Sequence, residues 1–232
     1  MTPGLSDFDA QTDGAGTLAD RVYRHLAGRL VAGRLAPGEK LSLRGIADSL
    51  GVSMMPVREA MSRLAAERAL LVAPKRAVTV PLMGAAGFRD ITRVRVEIEG
   101  VAAAMAAEAC DAAGMADIEA CEMTFRAISM QRAPDLSLAV SANQAFHFAV
   151  YRAACSAELL AIIERLWLRV GPIINFDLLE SPDRLRSGGA VRYHQEVVEA
   201  IRRRDGAAAR TALAADIAGA AQFILSQNRL PD

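Results

Sequence analysis

Two short amphipathic segments separated by three residues constrain the fold of this chain more than any other feature. The first has apolar residues at helical spacing: Leu43, Ile46, Ala47 and Leu50. Gly51 ends it, and Ser53 is a good N-cap for the second segment. The second also has an apolar face: Val57, Ala60, Met61 and Leu64. Pro56 falls in its first turn, where a missing N–H costs little. The pattern predicts a helix-turn-helix.

The flanking sequence extends this unit on both sides. A helix is predicted to start near Thr17, with Asp20 in its first turn and one apolar stripe: Leu18, Val22, Leu26 and Leu30. After the second segment, the β-type runs 70–72 and 78–80 enclose Lys75 and Arg76, which predicts a small hairpin with a basic tip. Three short helices followed by a hairpin are the layout of a winged helix-turn-helix.

The remainder of the chain is predicted to be helical. Of the 232 residues, 46 are Ala and only 11 are aromatic, which favours helices over a sandwich or barrel. From Phe88 onward the helical pattern is broken at five places: 112–114, 133–134, 181–182, 187–189 and 205–206. The predicted organisation is mainly α, with four parts: a disordered tail (1–16), a winged helix-turn-helix (17–80), a linker (81–87) and a bundle of about six helices (88–228).

A net charge of zero hides an uneven distribution. Residues 17–80 contain 11 Lys and Arg against 5 Asp and Glu, which favours a module that meets polyanions. No run of 18 apolar residues predicts a membrane span, and the N-terminus lacks the basic and apolar regions of a secretory signal. The three cysteines form no CxxC pair, as is typical of the reducing cytosol. We therefore expect a cytoplasmic protein without a membrane partner.

The second segment of the helix-turn-helix carries candidate DNA-reading residues. Away from its apolar face it presents Met54, Met55, Arg58, Glu59 and Ser62. The guanidinium of Arg58 matches the paired acceptors of guanine, whereas Arg44 could reach phosphate or base. Lys75 and Arg76 could touch phosphate or enter the minor groove. Alternatively, each of these cations is simply solvated.

The motifs here resemble a known family. The run Leu35–Leu41 (LAPGEKL) and the stretch Gly51–Ala60 (GVS-x-x-PVREA) look like the GntR-type winged-helix DNA-binding domain. The C-terminal part resembles the FCD ligand-sensing domain of the FadR-like branch: Arg95, Ile98-Glu99, Asn143, Phe146-His147, His194, Ala200-Ile201 and Asp205. The resemblance implies a homodimeric repressor of operator DNA that responds to a small metabolite, often a carboxylic acid.

The resemblance also implies roles for individual residues in DNA binding. Arg44 and Arg58 keep the DNA-contacting roles of the family, and the neighbouring positions join them: Ser53, Met54, Lys75 and Arg76. Met54 stands where the family commonly has Arg, and Ala77 stands where the wing usually has Gly. These departures leave the DNA-binding class intact but change which bases are read.

A metal site is expected in the bundle. Asn143 and His147 are four residues apart and fall on one helix face. In the family, Asp or Asn plus three His commonly hold a divalent metal such as Zn, Mn or Ni. Asn143, His147 and His194 match the first three positions, and Asp216 takes the place of the last His. A carboxylate is also an acceptable ligand. Alternatively, the histidines are ordinary core or surface residues.

The resemblance places Arg95 at an effector cavity. A guanidinium suits a bidentate carboxylate effector. Equally, Arg95 could form an ion pair with Glu99, one helical turn later.

Two other functions were weighed against a regulator. A metal-dependent, hydrolase-like enzyme would use the same four residues, but Phe146 and Phe148 flank His147 and supply no general base. The chain also has no Gly-rich phosphate loop or nucleophile motif. An effector-independent DNA-binding dimer is the other alternative. We therefore predict a regulator that is not an enzyme.

Overall fold

The structure is a computed structural model that describes residues 16–72, 78–180, 185 and 189–231. The predicted tail up to residue 15 and the predicted hairpin tip with Lys75 and Arg76 lie outside these residues. Within them the mainly α fold is confirmed, with a small sheet in the N-terminal part. No helix in the described ranges is both long and apolar enough to cross a membrane.

The N-terminal part contains the three predicted short helices: α1 (Leu18–Val31), α2 (Leu43–Leu50) and α3 (Met54–Ala66). Thr17 and Asp20 form a capping box at the start of α1, in which the side chain of each accepts a hydrogen bond from the backbone N–H of the other. Gly51 ends α2 with φ 66°, a left-handed conformation that glycine adopts without strain. Ser53 occupies the N-cap position of α3, but its hydroxyl makes no capping hydrogen bond.

A three-stranded antiparallel sheet adjoins these helices. β2 (Leu71–Val72) and β3 (Val78–Thr79) are the strands of the predicted hairpin, and β1 (Lys40–Leu41) joins β3 on its other side. The register pairs Leu41 with Val78 and Val72 with Val78. β1 was not predicted because two residues are too short to show an alternating pattern.

The C-terminal part contains six helices in the described ranges: α4 (Ala85–Ala109), α5 (Ala112–Ser129), α6 (Leu136–Ala153), α7 (Ala157–Glu180), α8 (Ala190–Arg202) and α9 (Gly206–Ser226). α4 begins three residues before the predicted helix start at Phe88, because Gly84 serves as its N-cap. The linker predicted for 81–87 therefore ends in helix.

The break between α6 and α7 was missed by the sequence analysis. It contains neither Gly nor Pro; instead Cys155 adopts φ 52°, which is uncommon for a residue with a side chain. Ser156 then accepts a hydrogen bond from the backbone N–H of Leu159 and so starts α7.

The two parts of the chain meet where α1 packs on α7, and one cluster of buried apolar residues runs through both. A Cβ on Gly171 would lie 2.7 Å from Cα of Val31, so only glycine allows the two helices to come this close. One turn later on α7, the amide of Asn175 donates to the carbonyl oxygen of Val31. α7 therefore ties the bundle to the first helix of the helix-turn-helix unit.

Candidate functional site

The exposed face of the helix-turn-helix carries two arginines, Arg44 and Arg58. Arg44 on α2 and Arg58 on α3 are both exposed, and neither guanidinium makes a hydrogen bond or ion pair with another residue that the structure describes. Arg63, on the same helix as Arg58, differs. It pairs with Asp20 at 2.6 Å and lies 4.2 Å from the ring centre of Tyr23. Arg63 therefore ties α3 to α1, whereas Arg58 is available to an external partner.

The start of α3 is also exposed. The side chain of Met54 is 47% exposed and that of Met55 is 69% exposed, and Ser53 is exposed beside them. Arg44, Ser53, Met54 and Arg58 thus all lie at the surface of the helix-turn-helix. Lys75 and Arg76, the other two predicted DNA contacts, belong to the residues that the structure does not describe.

A cavity of about 50 Å³ lies inside the bundle. Its lining includes the predicted residues Arg95 from α4, Asn143 and His147 from α6, and Asp216 from α9. Apolar residues complete the wall, among them Ile174 and Leu178 of α7. One water molecule needs roughly 10–15 Å³ of such a cavity. The cavity therefore has room for an ion and a ligand of a few heavy atoms.

His147, His194 and Asp216 form a buried cluster at this cavity. One potential ligand atom of each lies within 4.8 Å of the other two. Nε2 of His147 is 3.2 Å from Oδ2 of Asp216, and Nε2 of His194 is 3.8 Å from the same oxygen. Asn143 is also buried and precedes His147 by one turn of α6. The structure therefore brings three of the four predicted metal ligands together, and the fourth, Asn143, lines the same cavity.

His194 has no hydrogen-bond partner on either ring nitrogen among the described residues, although its side chain is fully buried. Its ring stacks on Phe146 at 3.9 Å between centroids and packs on Phe125 at 4.7 Å. A buried polar atom without a partner costs free energy, so an unsatisfied imidazole beside a carboxylate is a feature of a ligand site.

A hydrogen-bond chain orients the ring of His147. The hydroxyl of Tyr151 donates its one proton to Glu99. Its hydrogen bond with Nδ1 of His147, 3.0 Å away, must therefore be donated by a proton on Nδ1. This leaves Nε2 facing the carboxylate of Asp216. Two electron-rich atoms at 3.2 Å require a positive charge between them, which a proton on Nε2 or a metal cation supplies.

Arg95 is held by Glu99, as the second of its two predicted roles required. Nε and Nη2 of Arg95 donate to the two carboxylate oxygens of Glu99 at 2.6 and 3.1 Å. Glu99 is fully buried and also accepts from Tyr151 and from Nε1 of Trp167. Arg95 still lines the cavity, but it does so as half of a neutral pair.

Burial and neighbouring charge shift several pKa values here. Burial lowers the pKa of His194 despite the opposing charge of Asp216, which favours the neutral ring. Burial opposes ionisation of Asp216, but His147 and His194 together outweigh it and hold the pKa of Asp216 below its ordinary value. Burial and the charge of Glu99 raise the pKa of Tyr151 well above its ordinary value. Asp216 is therefore the negative charge of the cavity, and Tyr151 is a hydrogen-bond donor.

The packing of aromatic residues against His194 could not be predicted from the sequence. Phe125 and Phe146 flank its ring, yet both fall at spacings that are equally typical of core residues. Only the contact with a buried histidine distinguishes them. Nothing in the sequence indicates the hydrogen bonds of Tyr151 and Trp167 to Glu99.

Comparison with known proteins is consistent with this geometry. Residues 18–80 match the family model described as bacterial regulatory proteins, gntR family, and residues 90–219 match the FCD domain. The HTH-type transcriptional regulator McbR of Escherichia coli K12 is 34% identical over 160 residues, which cover 69% of this chain and 72% of McbR. The HTH-type transcriptional repressor GlaR of the same organism is 27% identical over 207 residues, 81% of this chain and 86% of GlaR.

A third relative and two solved structures extend these similarities. The probable D-xylose utilization operon transcriptional repressor of Paenarthrobacter nicotinovorans is 27% identical over 87% of this chain and 86% of its own length. The structure of E. coli McbR/YncC has a TM-score of 0.84 at 29% identity and covers 93% of this chain and 100% of that one. A GntR regulator from Rhodococcus sp. RHA1 shares the fold, with a TM-score of 0.70 at 21% identity over 90% of this chain and 97% of its own.

Proposed function

We propose that this chain, which belongs to the GntR family of bacterial regulatory proteins and carries an FCD domain, is a homodimeric repressor. Its DNA binding is controlled by a small carboxylate. The chain is a transcriptional regulator and not an enzyme, since its relatives are regulators of this family. Two of them are repressors by name, which supports repression here. Its three cysteines are free, in keeping with action in the cytoplasm.

The exposed guanidinium of Arg58 carries the DNA-binding proposal. Arg58 and Arg63 lie on one helix, but among the described residues only Arg63 has an acidic partner. An exposed guanidinium near the start of the second helix of a helix-turn-helix can make a bidentate contact with guanine in the major groove. Arg44 and the exposed hydroxyl of Ser53 are suited to phosphate contacts around it.

A homodimer follows from the size of this reading surface. One α3 helix contacts only a few base pairs, so specific binding by a helix-turn-helix normally requires two copies on half-sites about one helical turn apart. The partner is then double-stranded operator DNA with a near-palindromic sequence. Any change in the relative placement of the two α3 helices changes operator affinity.

The residues at the cavity fit a divalent metal such as Zn, Mn or Ni. The nitrogens of His194, which lack a hydrogen bond to any described residue, and the short contact between His147 and Asp216 can both be satisfied by a divalent cation. Asn143 supplies an amide oxygen from the same helix as His147. The metal, when bound, would offer an open position to an oxygen ligand.

Charge at the cavity favours a small carboxylate as the effector. Arg95 and Glu99 neutralise each other, which leaves the charge of Asp216. A proton on Nε2 of His147 brings this sum only to about zero, whereas a divalent cation in its place brings it to about +1, so the metal-loaded cavity attracts an anion. The cavity volume of about 50 Å³ restricts that anion to a few heavy atoms. Asn143, His147, His194 and Asp216 would hold the metal, which would supply the positive charge for a carboxylate, while Arg95 lines the same cavity as part of its pair with Glu99.

Fluorescence anisotropy on labelled DNA from upstream of the gene for this chain tests the proposal. Wild type, Arg58→Ala and Arg63→Gln are titrated against this DNA and a scrambled duplex at two salt concentrations. We expect Arg58→Ala to weaken specific binding by about 5-fold to 150-fold, the equivalent of about 1–3 kcal/mol. Arg63→Gln should retain nearly all of it, because Arg63 is directed at Asp20 and Tyr23.

Equal effects of the two variants would contradict the role of Arg58. Equal weak binding of wild type to both duplexes, falling steeply with salt, would indicate phosphate contacts alone and would contradict sequence-specific regulation at this DNA. The alternative of an effector-independent dimer predicts full operator binding and no thermal stabilisation by metal or carboxylates.

A further inference from the structure

The first turn of α3 presents two large apolar side chains to the surface. Met54 is 47% exposed and Met55 is 69% exposed, whereas Met61, farther along the same helix, is buried. Exposed apolar side chains at the start of a reading helix form a contact surface that water solvates poorly. The chemistry of that surface determines what it can recognise.

Met54, Met55 and Arg58 lie on one face of the helix. At about 100° per residue, their side chains leave the axis within an arc of about 100°. Glu59 and Ser62 continue this exposed face, and the buried residues Val57, Ala60 and Leu64 lie on the opposite side. A partner that binds Arg58 therefore also meets the two methionines.

The side chains of the first turn have no hydrogen-bond donor for a base, and the thioether sulfur of methionine is only a weak acceptor. Met54, Met55 and Pro56 have no side-chain N–H or O–H group. In the major groove, the apolar feature of a base pair is the C5-methyl group of thymine. A thioether side chain is flexible and polarisable, so it can follow a methyl group closely.

We propose that Met54 and Met55 give the operator half-site a thymine requirement through contact with its C5-methyl group. This rests on the proposed DNA-binding function of α3. Four residues of helix advance about 6 Å, which is about two base-pair steps. The thymine therefore lies about one or two base pairs from the guanine that Arg58 contacts.

Replacing thymine by deoxyuridine tests the proposal, because it removes only the methyl group and keeps base pairing. Footprinting first delimits the bound site. The guanine that Arg58 contacts is then the position at which a base change weakens binding by wild type but not by Arg58→Ala. Each thymine is then replaced in turn, and anisotropy gives the affinity. We expect wild type to lose about threefold to fourfold per contacted methyl group, as burial of one such group implies.

Variants distinguish a direct contact from an effect on DNA shape. Met54→Ala or Met55→Ala should bind thymine and deoxyuridine sites equally at the contacted position, while Met130→Ala, at an exposed methionine after α5, should respond as wild type does. The methyl readout would be overturned if no deoxyuridine substitution weakened binding by wild type. It would also be overturned if the methionine variants lost as much affinity as wild type on replacement of thymine by deoxyuridine.

The same experiment separates this inference from the function on which it rests. Specific binding that depends on Arg58 but not on any thymine methyl leaves the regulator intact and overturns only the methionine readout; the exposed methionines would then face a protein partner. Absence of any specific DNA binding overturns both.

Discussion

Nε2 of His147 lies 3.2 Å from Oδ2 of Asp216, although the two residues belong to helices far apart in the sequence. The opposite nitrogen of His147 is committed to Tyr151, which in turn donates to Glu99. The geometry therefore fixes both the ring orientation and the side that faces Asp216. It is the arrangement in which an outer carboxylate orients a metal-ligating histidine, here relayed through a tyrosine.

Asp216→Asn should abolish stabilisation by a divalent metal. At a Zn²⁺ or Mn²⁺ concentration 100 times its dissociation constant, binding stabilises the native state by about 2.7 kcal/mol. For a chain of this size that raises the melting temperature by about 5–10 °C. Differential scanning fluorimetry with metal or with EDTA measures the shift.

Asp90→Asn is the matched control, because Asp90 is exposed on α4 and the same charge is removed away from the cavity. It should keep the wild-type shift. A metal shift that survives in Asp216→Asn would show that the metal binds elsewhere.

The pair of Arg95 and Glu99 should behave as one unit in unfolding. Both side chains are buried, so Arg95→Met leaves an uncompensated carboxylate and should cost about 3–5 kcal/mol. The double variant Arg95→Met with Glu99→Gln should be less destabilised than the sum of the single variants. Urea denaturation of the four proteins gives the coupling energy. Additive effects would show that Arg95 does not depend on Glu99.

The close approach of α1 and α7 predicts opposite effects for two Gly-to-Ala substitutions. In Gly171→Ala the new Cβ meets the backbone of Val31 at 2.7 and 2.8 Å, so the helices must part, at a cost of about 1–3 kcal/mol. Gly28→Ala, inside α1, meets nothing within 4 Å and should gain about 0.5–1 kcal/mol from helix propensity. Chemical denaturation compares both with wild type. A neutral Gly171→Ala would contradict the packing.

The cluster of Thr17, Asp20 and Arg63 predicts a stability effect at low pH. Hydrogen bonds from Thr17 and Arg63 lower the pKa of Asp20 from 3.8 to about 2. A lowered pKa in the folded state stabilises it above pH 3.8, and this contribution disappears as the pH falls through 2. The melting temperature of wild type should therefore exceed that of Asp20→Asn by a constant amount above pH 5, and the gap should close between pH 4 and 2.

Asp48→Asn removes the same charge from an exposed carboxylate on α2 that makes no bond to the described residues. If it reproduced the gap, or if the gap persisted at pH 2, the three-residue cluster would not be its source.

Local signals in the sequence predicted most of the elements. The repeat of Leu18, Val22 and Leu26 predicted α1, and Gly51 with Ser53 predicted the turn between α2 and α3. The break at Cys155 could not be predicted, since a strained residue with an ordinary side chain leaves no trace in composition. The two-residue strand β1 exists only through its pairing with β3.

The candidate site was predictable to the extent that it depends on residue type. Histidine and carboxylate positions are visible in a sequence, and the structure brings His147, His194 and Asp216 together. The sequence allowed either an effector contact or an ion pair for Arg95. The structure shows the ion pair, because Nε and Nη2 of Arg95 both donate to Glu99. The link from the cavity to α1 through Gly171 and Asn175 depends on tertiary packing alone.

α7 connects the cavity to the helix-turn-helix unit. Ile174 and Leu178 line the cavity, and Gly171 and Asn175 on the same helix contact Val31 of α1. Occupancy of the cavity should therefore alter the placement of the DNA-reading unit, with a coupling of about 1–3 kcal/mol.

The most direct measurement is the operator affinity of metal-loaded protein with and without formate, acetate, glycolate or lactate. We expect one or more of these carboxylates to change the dissociation constant of wild type for the operator by about fivefold or more. Asp216→Asn should bind the operator without responding to the same compound. A wild-type affinity that is unchanged by every carboxylate, or a response that persists in Asp216→Asn, would contradict control of DNA binding through this cavity.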